Sequence, residues 1–143
     1  MDLFRALDIS ASGLTAQRSR MDVITENLAN SESTVTATGG PYRRKALVLQ
    51  ATDGRTFPGL LRREDASEGG VHVAGVVEMF DPPRRVFEPG HPQAGPDGFV
   101  SFPNVNPLTE MVDMLATTRA YEANATAFQA TKSMGAKLLE LLR

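Results

Sequence analysis

The residues that break helices are confined to the middle of this chain. All 9 prolines and 10 of the 12 glycines fall between Gly39 and Pro107, while residues 1–34 hold only Gly13 and residues 108–143 only Gly135. Proline removes a helix N–H and glycine adds backbone entropy, so two helix-permissive ends must flank a middle made of turns. This pattern predicts helices over about 3–30 and 107–141. It divides the chain into an N-terminal helical segment (1–34), a small β-rich, Pro/Gly-rich middle domain (35–104) and a C-terminal helical segment (105–143). The expected fold class is α+β, with the terminal helices packed together as a coiled-coil-like pair.

Each end carries an apolar stripe of helical period. Leu7, Leu14, Met21 and Leu28 recur every seven residues, with Leu3, Ala11 and Ile24 beside them. At the other end Met114, Tyr121, Phe128, Gly135 and Leu142 repeat likewise, with Met111, Thr118 and Ala125 between. Asn106 suits the cap of the second helix, Pro107 its first position, and Glu110 lies near its positive end.

A second stripe lies opposite the first. Two positions along a helix is roughly 200° around it, which puts Ala116, Ala120, Ala123, Ala127 and Ala130 on the face away from Met114 and Tyr121. Ile9, Ala16 and Val23 lie opposite the leucine stripe of the first helix. Alanine is also the best helix former and fills surfaces at little cost. The same opposite-face apolar character at both ends of the chain nevertheless argues for helices with neighbours on both sides.

In the middle, Ala46-Leu47-Val48-Leu49 and the alternating Val71, Val73, Gly75, Val77 and Met79 read as strands near 44–50 and 71–79. A segment so rich in turns buries little core of its own and leans on its neighbours.

Composition removes several classes of chemistry. Cysteine is absent, so there are no disulfides, thiolate metal sites or cysteine nucleophiles. The net charge of -2 provides no global field for nucleic acid or an anionic membrane, and residues 35–104 balance 8 basic against 8 acidic residues, so Arg43-Arg44-Lys45 forms at most a local patch. No run is long and apolar enough to span a bilayer, and no cleaved secretory signal is visible. His72 and His91 stand without metal-ligand spacing, and the prolines and glycines around His91 read as a shaped turn. Neither a GxSxG elbow nor a phosphate-cradling loop is present. The reading is no catalytic residue, no cofactor, no metal, no small-molecule substrate and no enzyme.

Longer motifs add a resemblance. Leu14-Thr15-Ala16-Gln17, Arg20-Met21-Asp22-Val23-Ile24 and above all Asn27-Leu28-Ala29-Asn30 resemble the N-terminal signature of bacterial flagellar axial proteins. Gly40-Pro41-Tyr42-Arg43-Arg44-Lys45, Pro89-Gly90-His91-Pro92, Gly98-Phe99-Val100 and Pro103-Asn104-Val105-Asn106 look like a rod component of that family. Glu110-Met111-Val112-Asp113-Met114, Arg119-Ala120-Tyr121-Glu122-Ala123-Asn124 and Lys132-Ser133-Met134 fit its C-terminal helix.

The resemblance implies a structural subunit of the proximal rod, its terminal helices packed in the wall of a tube. Implied partners are other rod proteins, copies of itself and basal-body ring components. The implied location is the rod in the periplasmic space, reached by type III export without a cleaved signal. Expected interface residues are Leu7, Leu14, Met21, Leu28, Met114, Tyr121, Ala125 and Phe128 in the helix pair, with Asn27 and Asn30 of the signature. Ile9, Ala16, Val23, Ala116, Ala120, Ala123 and Ala127 are expected to face neighbours. The alternative is a soluble helical-hairpin adaptor or secretion chaperone, for which one charged outer face would be expected.

Overall fold

A computed structural model of the chain describes residues 3–37, 39–52 and 69–141. Leu142, the last member of the expected repeat, lies outside them. The elements are α1 (Leu3–Ala29), β1 (Lys45–Ala51), β2 (Val71–Glu78), β3 (Arg84–Phe87), β4 (Phe99–Phe102) and α2 (Pro107–Leu141). The helices run antiparallel along one another, Leu3 meeting Gly135 at one end and Asn27 meeting Glu110 at the other.

Both expected helices form, and their ends are set by side chains. Asn30 closes α1: its N–H and its Nδ2 both donate to the Glu26 carbonyl, and Ser31 Oγ donates to that of Leu28. At the start of α2 the Asn106 Oδ1 accepts from the Leu108 N–H at 3.0 Å, with Pro107 first in the helix as expected.

Strands β1 and β2 occupy the two predicted stretches and pair antiparallel. The simple alternation expected from Val71 to Met79 is interrupted, because the register shifts between Val48 and Leu49. Leu47 opposes Val76, whereas Leu49 opposes Val73 and Ala51 opposes Val71, leaving Ala74 as the extra residue. The bulge therefore puts Leu47, Leu49, Val71, Val73 and Val76 on one face and sends Val77 to the other.

That face leans on α1. Ser12 Oγ accepts from the Val71 N–H at 3.1 Å, Ile9 packs at Gly69, and Val23 and Ile24 line a cleft with Leu47 and Leu49. The second apolar stripe of α1 thus has a neighbour within its own chain. Ala16 is 3% exposed, while Ile9 keeps 44% of its surface.

A second antiparallel pair, β3 with β4, was not among the expected strands. Its inward side carries Val100, 1% exposed. Its outer side is held by stacking: Phe87 meets Phe99 edge-on at 5.3 Å between centroids, and the Arg85 guanidinium lies 5.0 Å over the Phe99 ring. Gly98 turns the chain into β4 at φ 72°, where a Cβ would come within 2.7 Å of the Phe87 ring.

The Asn106 cap gives a direct test of how α2 begins. Asn106→Ala leaves the Leu108 N–H without its acceptor and should cost about 1 kcal/mol of stability, measured by urea unfolding followed at the helical signal.

Candidate functional site

Four polar side chains join α1, the start of β1 and the start of α2. Asn27 is 1% exposed and makes four hydrogen bonds. Its Oδ1 accepts from the Tyr42 hydroxyl and from the Lys45 N–H, both at 2.9 Å. Its Nδ2 donates to the Lys45 carbonyl at 2.9 Å and to Glu110 Oε2 at 3.2 Å. A carboxamide can accept from the backbone N–H and donate to the backbone C=O of one residue at once, as Asn27 does with Lys45.

Glu110 is the other buried member, also 1% exposed. Its Oε1 accepts from Arg44 Nε at 2.7 Å, so the charge that α2 carries inward meets a cation from the opposite side. A carboxylate placed there without Arg44 and Asn27 would be strongly destabilising. Lys45 pairs with Glu26 at the rim, and the Tyr42 N–H donates to the Ser33 carbonyl. Burial, then the charges of Glu26, Glu110 and Glu78, push the Tyr42 phenol up to about 12 from its usual 10.0.

The seam between the helices is less apolar than the leucine stripe suggests. Leu7, Leu14, Met21, Leu28, Met114, Tyr121, Ala125 and Phe128 are part-buried, and Met21 Sδ is approached across the seam by Thr118 Oγ1 at 3.9 Å. The buried residues of α2, however, are Glu110, Thr117 and Thr131. With Asn124, whose amide rests against Gly13, they form a second sevenfold repeat that an apolar-only reading passes over. The repeat itself was the signal available in the sequence. Met111, expected beside the stripe, is half-exposed.

Large apolar side chains instead occupy the outside of α2. Leu108, Val112 and Leu115 are 71%, 58% and 62% exposed. The alanine stripe is open at Ala116, Ala123, Ala127 and Ala130, part-covered at Ala120, and continues along the same face into Met134, Leu138 and Leu141, all exposed. A run of exposed apolar side chains is the feature that marks interaction surfaces.

The histidines take structural positions. His91 sits in the β3–β4 turn, its Nδ1 accepting from the Gln93 N–H and its ring edge-on to Phe102. His72 Nδ1 lies 3.3 Å from Thr52 Oγ1. Among the described residues no group of His, Cys, Asp and Glu could hold a metal ion, and no helix is long and apolar enough to cross a membrane.

Two outcomes follow from this junction. Asn27→Ala strands the Tyr42 hydroxyl, both polar groups of the Lys45 peptide and one oxygen of Glu110, and should cost several kcal/mol, roughly 3–5, in chemical denaturation. Tyr42 stabilises the fold through its neutral form, so its contribution is complete below pH 10 and is lost as the pH rises toward 12, an effect on the order of 2 kcal/mol. With Tyr121→Phe leaving Tyr42 as the one phenol, ultraviolet titration should place its ionisation near 12, and a midpoint near 10 would contradict the burial.

Both ends of the chain match known families. Residues 7–38 match the flagella basal body rod protein family, and residues 97–141 match the C-terminal family of flagellar basal body rod FlgEFG proteins. The flagellar basal-body rod protein FlgC of Bacillus subtilis is 44% identical, the alignment covering 99% of each chain. FlgC of Escherichia coli O157:H7 is 41% identical over 99% of this chain and 98% of that protein, and FlgC of Aquifex aeolicus 41% identical over 98% and 97%. With such identity along nearly the whole length, the chain belongs to the flagellar basal-body rod protein FlgC family.

Proposed function

We propose that this chain is a structural, non-enzymatic subunit of the proximal rod, polymerising through its terminal helices into a tube that encloses the export channel and transmits torque. The observation that carries this reading is the inverted polarity of α2. Its buried residues are Glu110, Thr117 and Thr131, while Leu108, Leu115, Met134 and Leu138 face outward. Each Leu or Met covered by a neighbour contributes about 1.5–3 kcal/mol, so covering the outer face supplies a driving force for association. An adaptor or chaperone working as a lone hairpin would place charge on that face.

The partners are other rod proteins, copies of this chain and the ring components around them. Contacts that repeat without closing on themselves build a helical wall. The working location is the rod in the periplasmic space, reached by export from the cytoplasm. On this reading the chain works as two helical assembly segments around a β-rich middle domain, and Ala116, Ala120, Ala123 and Ala127 lie against neighbouring subunits, where small side chains let helix backbones approach.

Ala123 tests this directly. Ala123→Glu should change the stability of the isolated chain by no more than about 0.5 kcal/mol, because the position is solvent-facing and glutamate is a good helix former. At a packed interface the same change buries an unpaired carboxylate and costs several kcal/mol. Cells relying on it should export the protein and lack rods and filaments, while Glu122→Gln assembles. Equal assembly of the two variants would remove the alanine face from the interface.

A further inference from the structure

Among the described residues, Gly13 and Gly135 are the two glycines that lie within long helices, where glycine is the poorest helix former short of proline. Both face the partner helix at a close approach. A Cβ on Gly13 would stand 2.9 Å from Asn124 Nδ2 and 3.3 Å from its Cγ. A Cβ on Gly135 would stand 2.6 Å from Leu3 Cδ2. Each glycine is a socket filled by one side chain of the other helix, and the arrangement is reciprocal: α1 offers a socket at Gly13 and a knob at Leu3, α2 a knob at Asn124 and a socket at Gly135.

The rest of the seam specifies the stagger weakly. It is rich in threonines that satisfy themselves within their own helix, Thr117 Oγ1 donating to the Asp113 carbonyl, Thr118 Oγ1 to Met114 and Thr131 Oγ1 to Ala127. Such residues make no directional bond across the seam, apart from the 3.9 Å approach of Thr118 Oγ1 to Met21 Sδ. Between Leu3–Gly135, Gly13–Asn124, Met21–Thr118 and Asn27–Glu110, each step along α1 is answered by a step back along α2 that agrees within two residues. The stagger is continuous along the pair, yet the polar junction fixes only one end of it.

We infer that Gly13 with Asn124 and Gly135 with Leu3 are the register pins of the helix pair: positioning residues that set its stagger, and so decide which outer residues of α1 and α2 come level with one another. A slip of one turn would leave the sockets empty and drive side chains onto helix backbone. The consequence for rod assembly rests on the function proposed above; the pins themselves do not.

The absence of cysteine lets the register be read in the full-length chain. A short thiol cross-linker applied to Met21→Cys/Thr118→Cys should link the native pair efficiently, and Met21→Cys/Glu122→Cys, one turn displaced, poorly. Adding Gly13→Leu fills the socket, and the 21–118 yield should fall at least about tenfold, as expected from overfilling a packed site. Combining Gly13→Leu with Asn124→Gly moves the knob to α1 and the socket to α2, and should restore the yield to within about twofold if the two positions are coupled. The inference is overturned if the native pair fails to link, if Gly13→Leu leaves the yield unchanged, or if the exchanged pair fails to recover it. Should Gly13→Leu alone unfold, the exchanged variant decides the matter through its helical signal and its 21–118 yield. The cross-link is read in the free chain, so a variant with native register that fails to enter rods counts against the assembly reading and leaves the pins intact.

Discussion

One carboxamide holds three parts of this molecule in place. Asn27 closes a two-way pair with the Lys45 peptide, accepts the Tyr42 hydroxyl and donates to Glu110, so the end of α1, the entry to β1 and the first turn of α2 meet on a single side chain. All of its hydrogen-bonding capacity is used, which is what makes its burial tolerable. Arg44 completes the arrangement by neutralising Glu110. Removing Asn27 takes the partner from the Tyr42 hydroxyl, the Lys45 backbone and one Glu110 oxygen, and removing Arg44 leaves Glu110 buried without its cation, so these groups act as a network.

The rest of the fold follows from where this junction sits. It anchors β1 beside α1, and the bulge opposite Val48 and Leu49 then turns the apolar side of the hairpin toward Ile9, Val23 and Ile24. A two-stranded hairpin is marginal by itself in water. Here the helix supplies its missing layer. With the hairpin occupying one side of α1 and α2 another, a run of exposed apolar side chains remains on α2, from Leu108 to Leu115 and along the alanine stripe to Leu141.

Much of this was legible in the sequence, and the exceptions have physical causes. Breaker distribution located both helices because proline and glycine act locally and strongly on them. Asn106 and Pro107 marked the start of α2 for the same reason. Strands β3 and β4 escaped notice because four-residue elements carrying Arg84 and Arg85 have little alternation to read, and a proline-rich turn separates them. The bulge at Ala74 was not legible because Val71, Val73, Val77 and Met79 keep one phase across it, and the out-of-phase Val76 shows its place only once paired with Leu47. In the sequence Glu110 stands as a charge near a helix end, which it is, but its burial depends on Arg44 and Asn27, 66 and 83 residues away. The signature residues Asn27, Tyr42 and Lys45 were recognised as a pattern before their contact could be inferred.

Those long separations also dictate the order in which the structure can become complete. Asn27, Tyr42 and Lys45 lie within 18 residues of one another and can meet early, since short loops close at small entropic cost. Until Glu110 arrives, Asn27 Nδ2 lacks one acceptor and the Arg44 guanidinium lacks its buried partner. The first turn of α2 supplies both at once. Docking of that turn is therefore coupled to satisfaction of groups already in place on α1 and β1, and the remainder of α2 can then lie down along Met21, Gly13 and Leu3 in turn. In this order the outer apolar face of α2 is presented as a continuous surface only after the polar junction has closed beneath its beginning.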